Sequence, residues 1–213
     1  CDNFYNIDQY KTIEFLNSNT DFKNGYTINK KTKKIIKAII IVHAFGNAAD
    51  FGKLNSLCKK RNIKLIEDAS ESLGSFYNKN NKHTGTIGDL GVISFNGNKI
   101  ITAGAGGMIL TNNNILNKKI RYLIKQAKDD TLNFIHNNIG YNYAQTNINA
   151  AIGLAQFENI AKILTLKKNI YEKYKINFDK FLNHSLVLTP NYSNNNHWLN
   201  VIRINRKNKD YLI

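Results

Sequence analysis

The feature that most constrains the fold is an unbroken run of branched apolar residues, Lys37-Ala38-Ile39-Ile40-Ile41-Val42-His43. Branched side chains suit strands, and a strand without alternation is expected to be buried on both faces, as parallel strands of α/β domains are. Helical spacing follows from Asp50 to Arg61, with Phe51, Leu54, Leu57 and Cys58 on one side, and then a second strand from Ile63 to Asp68. Strand, helix and strand within about thirty residues make a βαβ unit, and hence a parallel sheet.

The flanking segments fill out an α/β chain. Asp8 is placed to cap a helix through Leu16. The segment Gly25 to Ile28, a turn over Asn29 to Lys33, and Lys34 to Ile36 read as a surface hairpin. Two further strands are expected at Leu90–Phe95 and Met108–Thr111, and a cationic amphipathic helix at Ile115–Lys128. The small apolar stretch Ala150 to Gln156 suggests close helix packing. It leads into a long helix over about Phe157 to Leu182. Short strands at Ser185–Leu188 and Trp198–Ile204 follow, either side of the single proline, Pro190. The change of pattern suggests a domain boundary near residue 160, separating residues 1–159 from 160–213.

Charge invites a different reading and then withdraws it. The chain carries 30 Lys+Arg against 15 Asp+Glu, a net +15, which is the electrostatic footprint of nucleic-acid binders. Only 4 of those cations are Arg, however, although base and phosphate readers favour the Arg fork. The 26 Lys, 35 Asn and 29 Ile all have AT-rich codons, so genome drift explains the excesses together. No nucleic-acid partner is expected. The two cysteines, Cys1 and Cys58, are far apart and form no Cys-x-x-Cys or Cys/His cluster, which points to a reducing compartment and to no metal site. The longest apolar stretch, Ala38 to Val42, is too short to span a bilayer, so a cytoplasmic protein is expected. Because Cys1 comes first and Met108 is the only methionine, the chain reads as a piece of a longer frame.

Ligands bind outside the carboxyl ends of strands in open α/β sheets. Three such ends carry unusual residues: Glu67-Asp68-Ala69-Ser70-Glu71, Ser94-Phe95-Asn96-Gly97-Asn98-Lys99, and Gly104-Ala105-Gly106-Gly107. An amine in a partly desolvated site can form a Schiff base with an aldehyde. A carboxylate facing a pyridine nitrogen keeps that nitrogen protonated, making the ring an electron sink. Lys99 and Asp68 are therefore the minimum equipment for pyridoxal phosphate. Their separation of 31 residues is not diagnostic by itself, since a surface lysine and a helix-capping aspartate are commoner.

Extended local identity decides between the two. The blocks Val42 to Asp50, Glu67 to Ser75 and Lys82 to Asp89 come in order, followed by Ser94 to Thr102, Gly104 to Gly107, Gly140 to Tyr143 and Asn149 to Gly153. In this order and spacing the chain resembles the DegT/DnrJ/EryC1/StrS family of sugar-nucleotide aminotransferases. Within it, the chain looks most like the branch that makes 4-amino-4,6-dideoxy sugars for legionaminic-type nonulosonic acids.

The resemblance implies an incomplete α/β fold of the aspartate-aminotransferase type (fold type I), with a mixed, mostly parallel sheet. Residues 1–159 would be the C-terminal part of the large cofactor-binding domain, and 160–213 a linker helix and the start of the small domain. It implies pyridoxal 5'-phosphate as cofactor, with Lys99 as its covalent anchor and acid/base, and Asp68 on the pyridine nitrogen. Ser94 would contact the phosphate, and Glu71 would face the phenolic oxygen side of the ring. Asn142 would reach the cofactor of the neighbouring subunit in a homodimer. The implied reaction moves an amino group from an amino-acid donor, such as glutamate, to a 4-keto-6-deoxy sugar nucleotide. The alternatives are a catalytically incompetent fragment and a dehydratase, but dehydratase relatives have commonly replaced the lysine by His. Ala144-Gln145 depart from the Arg and apolar residue usual after the Gly-Tyr-Asn-Tyr block, which bears on contacts near the dimer interface.

Other residues read more plainly. His43 at a strand end reads as a structural histidine hydrogen-bonded within its loop, and His83, His136, His184 and His197 as ordinary polar positions. Gly104 to Gly107 is not a dinucleotide fingerprint, because the last glycine would fall on Ile109; a tight turn after the lysine fits better. Phe45 and Tyr77 read as core aromatics.

Overall fold

The computed structural model describes residues 1–130, 132–178 and 184–204. The chain opens with α1 (Gln9–Asn19), the hairpin β1 (Thr20–Lys23) and β2 (Tyr26–Asn29), then β3 (Ala38–Val42), α2 (Gly52–Lys60) and β4 (Lys64–Asp68). Short strands β5 (Phe76–Tyr77) and β6 (Lys82–His83) lead to β7 (Leu90–Ser94) and β8 (Gly107–Leu110). Three helices follow: α3 (Asn114–Ile124), α4 (Asn147–Glu158) and α5 (Ile160–Phe178). Strands β9 (His184–Leu186), β10 (Ser193–Asn194) and β11 (Ile202–Ile204) complete it.

The principal sheet has the order β3-β4-β7-β8, with β3, β4 and β7 parallel and β8 antiparallel at the edge. The βαβ unit and the mostly parallel sheet are as expected. Asp68 lies opposite Val42 on one side and Val92 on the other, so the carboxyl ends of the three parallel strands are level. Helices α1 and α2 cover one face through Leu16, Leu54 and Cys58, which pack with Ile41, Phe51 and Leu65 in a buried cluster. Asp8 caps α1 as its sequence suggested, its carboxylate accepting from the N–H groups of Tyr10 and Lys11. The helix then runs three residues beyond Leu16, to Asn19.

Several expectations need correction. Strand β3 is buried on one face only: Ile41 is inaccessible, whereas Ile40 is 60% exposed and Val42 44%. The buried cluster lies on the Ile41 side, whereas Ile40 and Val42 line an open hollow with Ile7, Lys11 and Phe15. The true hairpin is β1–β2, one strand upstream of the expected one. Its turn is Asn24-Gly25, with φ of 51° and 78°, the left-handed pair that a two-residue hairpin turn requires. Lys34 to Ile36 only touches β2, through an Ile28–Ile35 bridge. Helix α3 stops at Ile124, because Gln126 and Ala127 take positive φ (68° and 49°) and the chain turns.

Helix α4 buries none of its residues; it meets the sheet edge at Ala103, which Gly153 faces and whose carbonyl accepts from Asn149 Nδ2. The expected long helix is separate from α4, since the Asn159 N–H caps the Gln156 and Phe157 carbonyls before α5 begins. Its last expected residues, 179–182, lie outside the described residues. The two late strands are shorter than expected, although a Val187 N–H to Val201 carbonyl bond extends their ladder. Among the described residues no helix is long and apolar enough to cross a membrane.

Candidate functional site

Four of the five singled-out residues gather at the carboxyl edge of the sheet. Asp68 ends β4 and Ser94 ends β7, while Glu71 and Lys99 stand on the loops that follow those strands. The ends are held by backbone bonds across them: the His43 N–H donates to the Asp68 carbonyl, and Ala69 N–H to that of Val92. The Phe95 N–H donates to the Gly106 carbonyl. Gly104 and Gly106 have φ of 81° and 89°, so the glycine-rich turn is left-handed as its composition suggested.

Lys99 is an enclosed cation at this edge. Its side chain is 14% exposed, and its Nζ lies 3.8 Å from Glu71 Oε1. The same Nζ sits over the Trp198 ring, 4.1 Å from the centroid. Glu71 is fixed in turn, its Oε2 accepting from the Phe45 N–H at 2.8 Å. Phe45 adopts φ 57° in a short turn after β3, which aims that N–H at the carboxylate. Asp68 Oδ1 accepts from the Ser70 N–H at 3.1 Å, and among the described residues its other oxygen has no partner. Ser94 Oγ accepts from the Asn96 N–H at 3.3 Å, which leaves its own O–H to donate. Asn142 is set apart. It bridges to Lys125 after α3, is exposed, and makes no hydrogen bond to the other four among the described residues.

Beneath the edge lies a buried hydrogen-bonded carboxylate–imidazole pair that sequence reasoning did not single out. Glu67 is inaccessible, and its carboxylate collects four donors. Its Oε2 takes His43 Nε2 at 3.0 Å and Gly85 N–H at 2.9 Å; its Oε1 takes Ile87 and Gly88 N–H, each at 2.6 Å. His43 Nδ1 accepts from the Ala49 N–H at 3.0 Å, so the ring proton is on Nε2 and points at Glu67. Burial pushes the Glu67 carboxyl upward, but the His43 hydrogen bond and the backbone N–H groups outweigh it and hold it below the usual range. His43 is thus the structural histidine expected, and Glu67 is its reason. Tyr77 is also core, donating to the Ala49 carbonyl at 2.8 Å; burial pushes its phenol up. His83 accepts the Gly74 N–H at Nε2, and burial lowers its affinity for a proton.

Trp198 is the other residue missed. It is the only tryptophan, 7% exposed, and packs with Ile100 and Ile101 against Leu73 and Phe95. Nothing local in Asn195-Asn196-His197-Trp198 announces that it meets Lys99. Among the described residues there is no group of three His, Cys, Asp or Glu able to hold a metal ion.

The mostly parallel sheet and its helices form a fold of the aspartate-aminotransferase type, and solved structures match the whole of it. Helicobacter pylori PseC, an aminotransferase involved in the biosynthesis of pseudoaminic acid, superimposes with a TM-score of 0.81 at 25% identity, over 98% of this chain and 52% of that one. A DegT DnrJ EryC1 StrS aminotransferase from Brucella abortus gives 0.83 at 22% identity, over 97% and 52%. The chain belongs to the DegT/DnrJ/EryC1/StrS aminotransferase family, whose model matches residues 23–213. GDP-perosamine synthase of Vibrio cholerae is 42% identical over 148 residues, 70% of this chain and 39% of that one. The UDP-4-amino-4,6-dideoxy-N-acetyl-beta-L-altrosamine transaminase of Campylobacter jejuni (serotype O:23/36) is 31% identical over 212 residues, 93% and 49%. The chain therefore spans half or less of the length of these curated relatives.

Proposed function

We propose that this chain carries the cofactor lysine of a pyridoxal-phosphate-dependent aminotransferase, which moves an amino group from an amino-acid donor, glutamate, to C4 of a 4-keto-6-deoxy sugar nucleotide. The observation that carries the reading is Lys99, an enclosed amine at the carboxyl edge of a parallel sheet with a carboxylate, Asp68, on the neighbouring strand end. The donor set fits the cofactor: Lys99 for the aldehyde carbon, the unpartnered oxygen of Asp68 for the pyridine nitrogen, and the Ser94 O–H for a phosphate oxygen. Bound there, pyridoxal phosphate supplies an electron sink and a carrier for the amino group.

The chain's own residues then bind and move protons. Asp68 holds a positive charge at the ring nitrogen. Lys99 Nζ, once free, takes and returns the proton at the substrate carbon. Glu71, 3.8 Å from Lys99 and anchored on the Phe45 N–H, keeps a negative charge beside that amine. The name of the Campylobacter relative, which carries its amino group at C4 of a dideoxy sugar, supports the substrate class. The exposed apolar residues around Asn142, among them Leu132 (86%), Ile139 (84%) and Tyr143 (74%), support a homodimer in which this surface is covered and Asn142 meets the partner's cofactor. Residues 1–159 are proposed as part of the large domain, and 160–213 as the linker helix and the opening of the small one.

Borohydride trapping tests the reading. The full-length protein is mixed with pyridoxal phosphate, reduced, digested and mapped by peptide mass. One adduct is expected on the Lys99 peptide, absent in Lys99→Ala. No adduct at Lys99, or labelling scattered over the other lysines, would sink the assignment.

A further inference from the structure

The Lys99 ammonium has two partners, and a single side chain fastens both. The Glu71 carboxylate lies 3.8 Å from the Lys99 Nζ and the centre of the Trp198 indole face 4.1 Å. Asn196, 1% exposed, donates from Nδ2 to the carbonyls of Glu71 (2.8 Å) and Leu73 (2.9 Å), and its Oδ1 accepts the Trp198 N–H at 2.9 Å. Its own N–H donates to Ser75 Oγ at 3.0 Å. The Trp198 indole N–H donates to the Asn98 carbonyl at 2.7 Å, one residue before the lysine. A segment remote in sequence therefore grips the lysine loop by its backbone and covers the lysine's charge with an aromatic face.

We propose that Trp198 is a positioning residue for Lys99: its indole face and the Glu71 carboxylate together hold the lysine Nζ in place, with Asn196 setting the spacing of the pair. The ring quadrupole attracts a cation and offers a neutral amine little, and the attraction grows in a desolvated site such as this one. A lysine so held is a slow nucleophile. Cofactor capture must draw Nζ away from the indole. That meaning rests on Lys99 being the cofactor lysine, but the holding itself does not, so the two fail separately.

The test uses the full-length protein without cofactor. Trp198 is replaced by mono-, di- and trifluorotryptophan, which drain the ring face stepwise while nearly preserving size and keeping the N–H donor. Each protein is pulse-labelled with acetic anhydride at fixed pH, and the Lys99 peptide is quantified against the other lysines. The Lys99 labelling rate is expected to rise stepwise, by roughly three- to tenfold across the series, with the other lysines unmoved. Trp198→Phe, which keeps a weaker face and lacks the N–H, should fall within the series, and Trp198→Leu beyond it. Equal Lys99 rates along the fluorinated series would overturn the proposal, because a purely structural indole is indifferent to its quadrupole. Since no pyridoxal phosphate is present, the labelling rates decide the question even for a protein that fails the trapping experiment.

Discussion

Glu67→Gln is the sharpest perturbation available, because the four donors around that carboxylate are sorted two to an oxygen. Ile87 and Gly88 N–H groups meet Oε1, while Gly85 N–H and His43 Nε2 meet Oε2. A glutamine of the same shape can present its oxygen to one pair only, and its NH2 then faces two N–H donors. Flipping the amide exchanges the pairs without relieving either. Moving the His43 proton to Nδ1 does not help, since that nitrogen would then oppose the Ala49 N–H. Two buried donors are left unsatisfied, each at about 1–3 kcal/mol, so the variant should be destabilised by about 2–6 kcal/mol. Urea unfolding of the full-length protein, followed by circular dichroism, reads this as a lower midpoint at unchanged slope. A loss under about 0.5 kcal/mol would refute the reasoning, since it would mean that the site rearranges freely around a neutral side chain.

The same group sets a pH dependence. Its folded pKa lies below its ordinary value of 4.5, so its contribution is complete above about pH 4.5 and is lost as pH falls through the folded value. Urea midpoints measured from neutral pH down to about pH 3 should fall more steeply for the wild type than for Glu67→Gln; parallel curves would contradict this. Gly91→Ala should destabilise the protein by about 2 kcal/mol or more, because a Cβ there would collide with the Gly85 carbonyl oxygen and push the Glu67-binding loop off β7. A thermal melt that matches the wild type would show that the loop yields without loss.

Much of the sheet was legible because its signals are short-range. The Asp8 cap, the unbroken β3 run and the spacing of Leu54 and Cys58 each depend on neighbours a few residues away, and each appears where the pattern put it. The hairpin was misplaced although its signal was present: Asn24-Gly25 marks the turn, but the longer polar stretch at Asn29 to Lys33 drew the assignment downstream. The exposure of Ile40 and Val42 was not legible, since composition says that a strand can be buried on both faces and not what lies over each.

The chemistry divides along the same line. Local pattern was enough to put Asp68, Ser94 and Lys99 at the strand ends, because a residue's position on a strand or its following loop depends on the backbone around it. What surrounds them came from long-range packing. Glu67 becomes a buried ion because the 85–88 loop folds over it and turns three N–H groups inward. Lys99 acquires an indole partner because Asn196 pins a remote segment against Glu71 and Leu73. Desolvation and charge pairing depend on whatever atoms fill the surrounding few ångströms, and those atoms come from parts of the chain that no local pattern connects.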